Sequence, residues 1–137
     1  TLPGLGRRPG LRVAMPNPHT VVPLSSEAEL NRLHLEGASF DPTPLAGTNL
    51  ELVVPLPERT AGRGALAMRV TERGVGETRS CGTGCGAAAV AARTWAGPGA
   101  PDVWDVIVPG GQVTVRIEGG RVFLSGPAVL VAEVELR

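Results

Sequence analysis

The run Ser80-Cys81-Gly82-Thr83-Gly84 puts a thiol directly before three small residues and a longer small-residue stretch, Cys81 to Ala92. That stretch reads as a helix, with Cys81 where it begins. Unpaired backbone N–H groups and the positive end of the helix dipole favour anions there, and so favour thiolate over thiol. The N–H groups of Gly82 and Thr83 can also hold a carboxylate, because no Cβ on a glycine blocks its approach. A thiol beside a carboxylate cradle suits proton transfer at the carbon next to that carboxylate. The plain alternative is a structural Cys at a helix start.

Other candidates flank this run. Glu72 and Arg73 stand at a strand end before the Gly-rich passage Gly74-Val75-Gly76. Glu72 can accept a proton from a substrate amine or orient it, and Arg73 can grip a carboxylate in bidentate fashion. A solvated surface pair is the alternative. Asn17 and His19 lie in a Pro-flanked turn, Pro16-Asn17-Pro18-His19, where His19 can tune a thiol or shuttle a proton, or simply face solvent. Asn49 follows Gly47-Thr48 at a strand start, a position that also suits a turn residue. His34 sits among leucines and reads as packing or surface.

Composition narrows the chemistry. All thirteen basic residues are Arg, and there is no Lys and no Tyr. The chain therefore offers no Schiff-base lysine for pyridoxal phosphate. Formal net charge is zero, with no basic stripe, which argues against nucleic acid as a partner. No apolar stretch is long enough to span a bilayer, and no secretory leader opens the chain, so a cytoplasmic location is expected. Cys81 and Cys85 are four residues apart, where a disulfide constrains little. No second Cys or His pair stands at metal spacing, so no metal is expected. Cys85 reads as a small residue packed in the helix.

These residues need elements to hold them. Leu11 to Met15 reads as a strand. Ser26-Glu27-Ala28-Glu29 is a capping box opening a helix that runs to Gly37. Asn49 to Val54 and Ala65 to Thr71 read as strands. Val103–Val108, Gln112–Glu118 and Arg121–Leu124 form hairpins through Gly110-Gly111 and Gly119-Gly120. Ala128 to Leu136 alternates as a final strand. The helix from Cys81 has no polar face and must lie inside a curled sheet. The class is α+β or α/β, with residues 1–10 as linker and 11–137 as one lobe. The opening Thr1 suggests a piece of something longer.

From Val13 onward the chain resembles diaminopimelate epimerase. Four motifs occur in that family's order: Asn17-Pro18-His19, Gly47-Thr48-Asn49-Leu50-Glu51, Glu72-Arg73-Gly74-Val75-Gly76-Glu77-Thr78, and Ser80-Cys81-Gly82-Thr83-Gly84. Pro109-Gly110-Gly111 and Ser125-Gly126-Pro127-Ala128 fit as well. The resemblance implies an α+β fold, a curled, mostly antiparallel sheet around a central small-residue helix, forming one of two similar lobes. It implies cofactor-independent isomerisation of LL- to meso-diaminopimelate, in lysine and peptidoglycan synthesis, by two cysteines on opposite faces of the substrate. Cys81 would be one of them. Gly82 and Thr83 would hold the α-carboxylate, with Asn17, Asn49 and Arg73 toward the distal end. Glu72 would touch the reacting amine side and assist Cys81, and His19 would assist the other cysteine. That cysteine belongs to an amino-terminal lobe with a Cys-Gly-Asn-Gly-like motif, which residues 1–137 lack; the chain alone is then expected to have little activity. The family forms dimers. Pro16 stands where the family usually has Gly. A related amino-acid racemase of the same fold, or a non-catalytic module derived from such a lobe, remains as an alternative.

Overall fold

The computed structural model describes residues 1–136, so the last residue of the expected lobe, Arg137, lies outside the described residues. In chain order the elements are β1 (Leu11–Ala14), β2 (Pro18–Pro23), α1 (Glu27–Arg32), β3 (Asn49–Leu56), β4 (Gly64–Glu72), β5 (Gly76–Thr78), α2 (Gly82–Ala96), β6 (Val103–Val108), β7 (Gly111–Glu118) and β8 (Arg121–Ser125). One sheet holds the strands in the order β1-β2-β3-β4-β6-β7-β8, with β5 folded back on β4. Two pairings are parallel, β2 with β3 and β4 with β6; the rest are antiparallel. The parallel pairs arise where α1 and α2 carry the chain back across the sheet, as a crossover must.

Side-chain alternation sends the residues of β2, β3 and β4 to two cores. In β3, Leu50, Leu52 and Val54 join a cluster with Leu30, Leu33 and Leu35 on the α1 side. Val53 faces the other way, into a cluster built on α2 with Val21, Leu66, Met68 and Val106. Burial on both faces explains why β3 reads as a nearly continuous apolar run. The sheet curls around α2, which touches every strand except β5. Ala87, Ala88, Ala89 and Ala91 have no exposed surface. Methyl-sized side chains let strands approach the helix from all sides, so the absence of a polar face is the reason α2 sits inside.

Gly119 and Gly120 both have positive φ, at 55° and 74°, as a tight two-residue turn between β7 and β8 requires. This hairpin stands as expected; the β6–β7 hairpin also forms, but its turn is Pro109-Gly110 and Gly111 already pairs with Val108 as the first residue of β7. Three expectations change. The first helix is one short turn and a half, ending at Arg32 rather than Gly37, because Leu33 is extended (φ −78°, ψ 140°). Arg69 from β4 takes the carbonyls of Leu30 and Leu33 at 2.6 and 3.0 Å, which closes the helix. The same guanidinium grips Glu77 on β5 at 2.7 and 2.9 Å. Only half of the capping box forms. Ser26 Oγ accepts from the Glu29 N–H at 3.1 Å, but the Glu29 carboxylate turns to the N–H and hydroxyl of Ser25. Those two donors hold Glu29 below the usual carboxylate range. Ser26→Ala is expected to cost about 1 kcal/mol, read as a lower urea midpoint with unchanged slope.

The third change is at the end. Residues 128–136 form no strand. Val129, Leu130, Val131, Val134 and Leu136 are each at least 79% exposed. Alternating apolar residues need a sheet edge and a covering layer, and this segment meets neither beyond the end of β8 at Ser125. At the other end, residues 1–10 were expected to be linker. Leu2 nonetheless packs in the α1-side cluster at 5% exposure, and the Thr1 ammonium donates to the Ser39 carbonyl. Among the described residues no helix is long and apolar enough to cross a membrane.

Candidate active site

Cys81 is the residue that caps α2. Its backbone is extended (φ −136°, ψ 113°), and its sulfur accepts the Gly84 N–H at 3.4 Å. Its carbonyl takes the first intrahelical bond, from Cys85 at 2.8 Å. Gly82 and Thr83 follow on the exposed surface. Their N–H groups are in the first turn, where a helix has no partners of its own to offer. Cys81 is 8% exposed, so a nearly buried thiol residue and the exposed Gly82 and Thr83 share one helix end.

Gly84 is required there. A Cβ at this position would lie 2.9 Å from Glu51 Oε1 and 3.3 Å from Cys81 Sγ. The first turn of α2 therefore runs between the thiol and the buried Glu51 carboxyl without room for a side chain. Cys85 lies one turn on, fully buried, and burial pushes its thiol up to about 11, with Cys81 adding to the effect. At neutral pH it is an inert packing thiol, as its position suggested.

His19 departs from the expected turn. It is the second residue of β2, 1% exposed, and pairs in register with Asn49 across the parallel β2–β3 contact. Its Nδ1 lies 2.6 Å from Glu51 Oε1, and its Nε2 lies 3.1 Å from Asn17 Oδ1. Asn17, half-buried just before β2, donates from Nδ2 to Thr83 Oγ1 at 3.2 Å, and Thr83 Oγ1 lies 3.6 Å from Cys81 Sγ. Contacts thus lead from His19 through Asn17 and Thr83 to the sulfur. Burial raises the Glu51 carboxyl above its ordinary range, and the His19 hydrogen bond pulls the other way. Glu51 appeared only as part of a motif, with no role. A lone carboxyl in the apolar run of β3 was the available signal, since such a group must find a partner.

The remaining candidates form a neighbouring group. Buried Asn49 spends Oδ1 on the Arg73 backbone N–H at 2.8 Å, which fixes the end of β4. The Arg73 guanidinium is exposed and donates to the Ala46 carbonyl. Gly47, at φ 70°, leaves space for it: a Cβ there would lie 2.6 Å from Arg73 Cδ. Glu72 Oε1 accepts the Thr78 hydroxyl at 2.6 Å, and that hydroxyl lies 3.4 Å from the Ser80 carbonyl, next to Cys81. Among the described residues no hydrogen bond joins Glu72 or Arg73 to Cys81 directly. A pocket of about 260 Å³ is lined by Glu72, Arg73, Gly74 and Thr48, among others, and excludes Cys81, Asn17 and His19. His34 is exposed and takes no part.

Comparison with known proteins decides the family. The family model described as diaminopimelate epimerase matches residues 12–131. The chain belongs to the diaminopimelate epimerase family. It is 47% identical over 136 residues to the diaminopimelate epimerase of Mycobacterium sp. (strain KMS), covering 96% of this chain and 44% of that protein. It is 46% identical over 127 residues to that of Rhodococcus jostii (strain RHA1), covering 90% and 42%. It is 44% identical over 131 residues to that of Thermobifida fusca (strain YX), covering 93% and 44%. The chain thus spans less than half the length of the curated relatives it matches. The sheet curled around α2 agrees with a diaminopimelate epimerase lobe.

Proposed function

We propose that this chain forms one wall of a cofactor-independent epimerase that inverts the α-carbon of LL-diaminopimelate to the meso form. The observation that carries this reading is the α2 start, where the capping Cys81 and the exposed first-turn residues Gly82 and Thr83 share one end. A carboxylate held by the N–H groups of Gly82 and Thr83 brings its α-carbon near the thiol. As the α-proton leaves, charge moves onto the carboxylate, and the N–H donors and helix dipole stabilise it where it develops. Cys81 then removes or returns the proton on one face. Asn17, Asn49 and Arg73 are assigned to the rest of the substrate, Glu72 to the amine side, and His19 to assisting proton transfer.

Inversion needs a second acid–base group on the opposite face, and a thiol on an amino-terminal lobe is the proposed source. Two features support a missing wall: the chain is under half the length of its relatives, and residues 129–136 expose an apolar segment with no covering layer. A homodimer of the complete protein and a cytoplasmic setting complete the reading. The test mixes this chain with an amino-terminal lobe from a relative and follows solvent deuterium uptake at the diaminopimelate α-carbon. Uptake with inversion is expected from the mixture and not from the chain alone. Equal rates with and without the added lobe, or inversion of other amino acids in preference to diaminopimelate, would overturn the proposal.

A further inference from the structure

We propose that Glu51 is a positioning residue that sets the hydrogen-bond direction along His19, Asn17 and Thr83 so that it ends with a donor on the Cys81 sulfur. The starting point is Asn17. Its Nδ2 donates to Thr83 Oγ1, so its Oδ1 must be the atom facing His19 Nε2, and an amide oxygen only accepts. Nε2 therefore carries a proton. Nδ1 lies 2.6 Å from Glu51 Oε1, with both side chains fully buried. Two arrangements fit: imidazolium against carboxylate, or a carboxylic acid donating to Nδ1. Both make the pair neutral overall. The arrangement they exclude, a carboxylate with an Nδ1–H imidazole, turns the Nε2 lone pair onto the Asn17 oxygen and leaves a net charge in the core.

Burial independently favours the neutral pair. Glu51 Oε2 has no hydrogen-bond partner. A lone carboxylate with an unmet oxygen in this position is costly, and sharing a proton with His19 removes the charge. Further along, Thr83 Oγ1 receives the Asn17 N–H, so its own proton is free to point at Cys81 Sγ 3.6 Å away. Together with the Gly84 N–H, two donors then face the sulfur. Donors stabilise the thiolate. Glu51 acts through three other side chains and touches no substrate. A buried carboxyl near a thiolate would otherwise repel it, so the sign of the effect separates relay from charge.

This rests on the reading of Cys81 as an acid–base thiol, and the test uses thiol chemistry without substrate. Failure of epimerase activity and failure of the relay are therefore distinguishable. In the 137-residue chain, iodoacetamide trapping at pH 7 with peptide mass spectrometry reads Cys81, because buried Cys85 stays protonated. Glu51→Leu breaks the relay, and its Cys81 rate is expected to fall about tenfold, the worth of one hydrogen bond to a charged atom. Glu51→Gln can still donate an amide N–H to Nδ1, keeps Nε2–H, and is expected to stay within about threefold of the parent. If Glu51 were instead an unshared carboxylate, both substitutions would remove its charge and move both rates upward together. That result, or no change in either, overturns the proposal. Should the Leu variant not fold, nitrogen-15 spectra of the parent chain decide: a protonated His19 Nε2 is required, and an unprotonated one overturns the relay.

Discussion

Replacing Cys81 by Ala in the complete two-lobed protein is expected to lower the rate of diaminopimelate inversion by about a thousandfold, the middle of the range for loss of an acid–base group. The structure makes this substitution informative. Cys81 is the α2 cap through Gly84 N–H, while the proposed carboxylate donors are backbone N–H groups of Gly82 and Thr83 that Ala leaves in place. Binding should therefore suffer little, and the loss should appear in kcat rather than KM. Ser at the same position keeps a capping oxygen, and Ser is a favoured cap. Its hydroxyl is a far weaker acid than a thiol, so activity should fall with Ser as well while the fold holds. With one thiol gone, the opposite group can still exchange the proton on its own face, so deuterium uptake into one isomer should outlast inversion. Retention of inversion within tenfold of the parent would remove Cys81 from the chemistry. Cys85→Ala serves as the matched control and should remain active.

The parts legible in the sequence are those with short-range causes. The cap at Cys81 followed from glycines next to it, the β7–β8 hairpin from Gly119-Gly120, the β6–β7 hairpin to within one residue from its glycines, and the enclosed helix from an alanine run without a polar face. What escaped was set by distant chain. Arg69 ends α1 by binding carbonyls at Leu30 and Leu33, 39 and 36 residues earlier. No local pattern around Leu33 encodes that stop. His19 read as a turn residue because Pro16 and Pro18 flank Asn17, yet the parallel register with β3 buries it beside Asn49 and gives it Glu51 as a partner. A parallel pairing across a 25-residue connection has no signature in either strand. The exposed segment at 129–136 carries a strand's alternation, but alternation specifies a face to be covered and not the chain that covers it.

Raising the pH from 9 to 11 is expected to destabilise the folded chain through Cys85. Its thiol moves from an ordinary value of 9.0 to about 11 on folding, chiefly because burial penalises the thiolate. Above pH 9 the unfolded chain loses this proton while the folded chain keeps it. The unfolded state then binds fewer protons, so stability falls as pH rises. The contribution is fully present below pH 9 and is lost by about pH 11, a change on the order of 2–3 kcal/mol. Composition narrows the source: with no Lys and no Tyr, most side chains that usually titrate in this window are absent, and the two cysteines remain. Urea unfolding at steps between pH 8 and 11 reads the slope, and Cys85→Ala should flatten it. Ala fills most of the same space in a helix already lined by fully buried alanines, so the variant should remain folded. An unchanged slope in Cys85→Ala would mean that alkaline sensitivity comes from elsewhere, with Cys81 the next group to test by the same substitution. A flattened slope would show that burial of the Cys85 thiol inside the curled sheet is the source of the alkaline sensitivity.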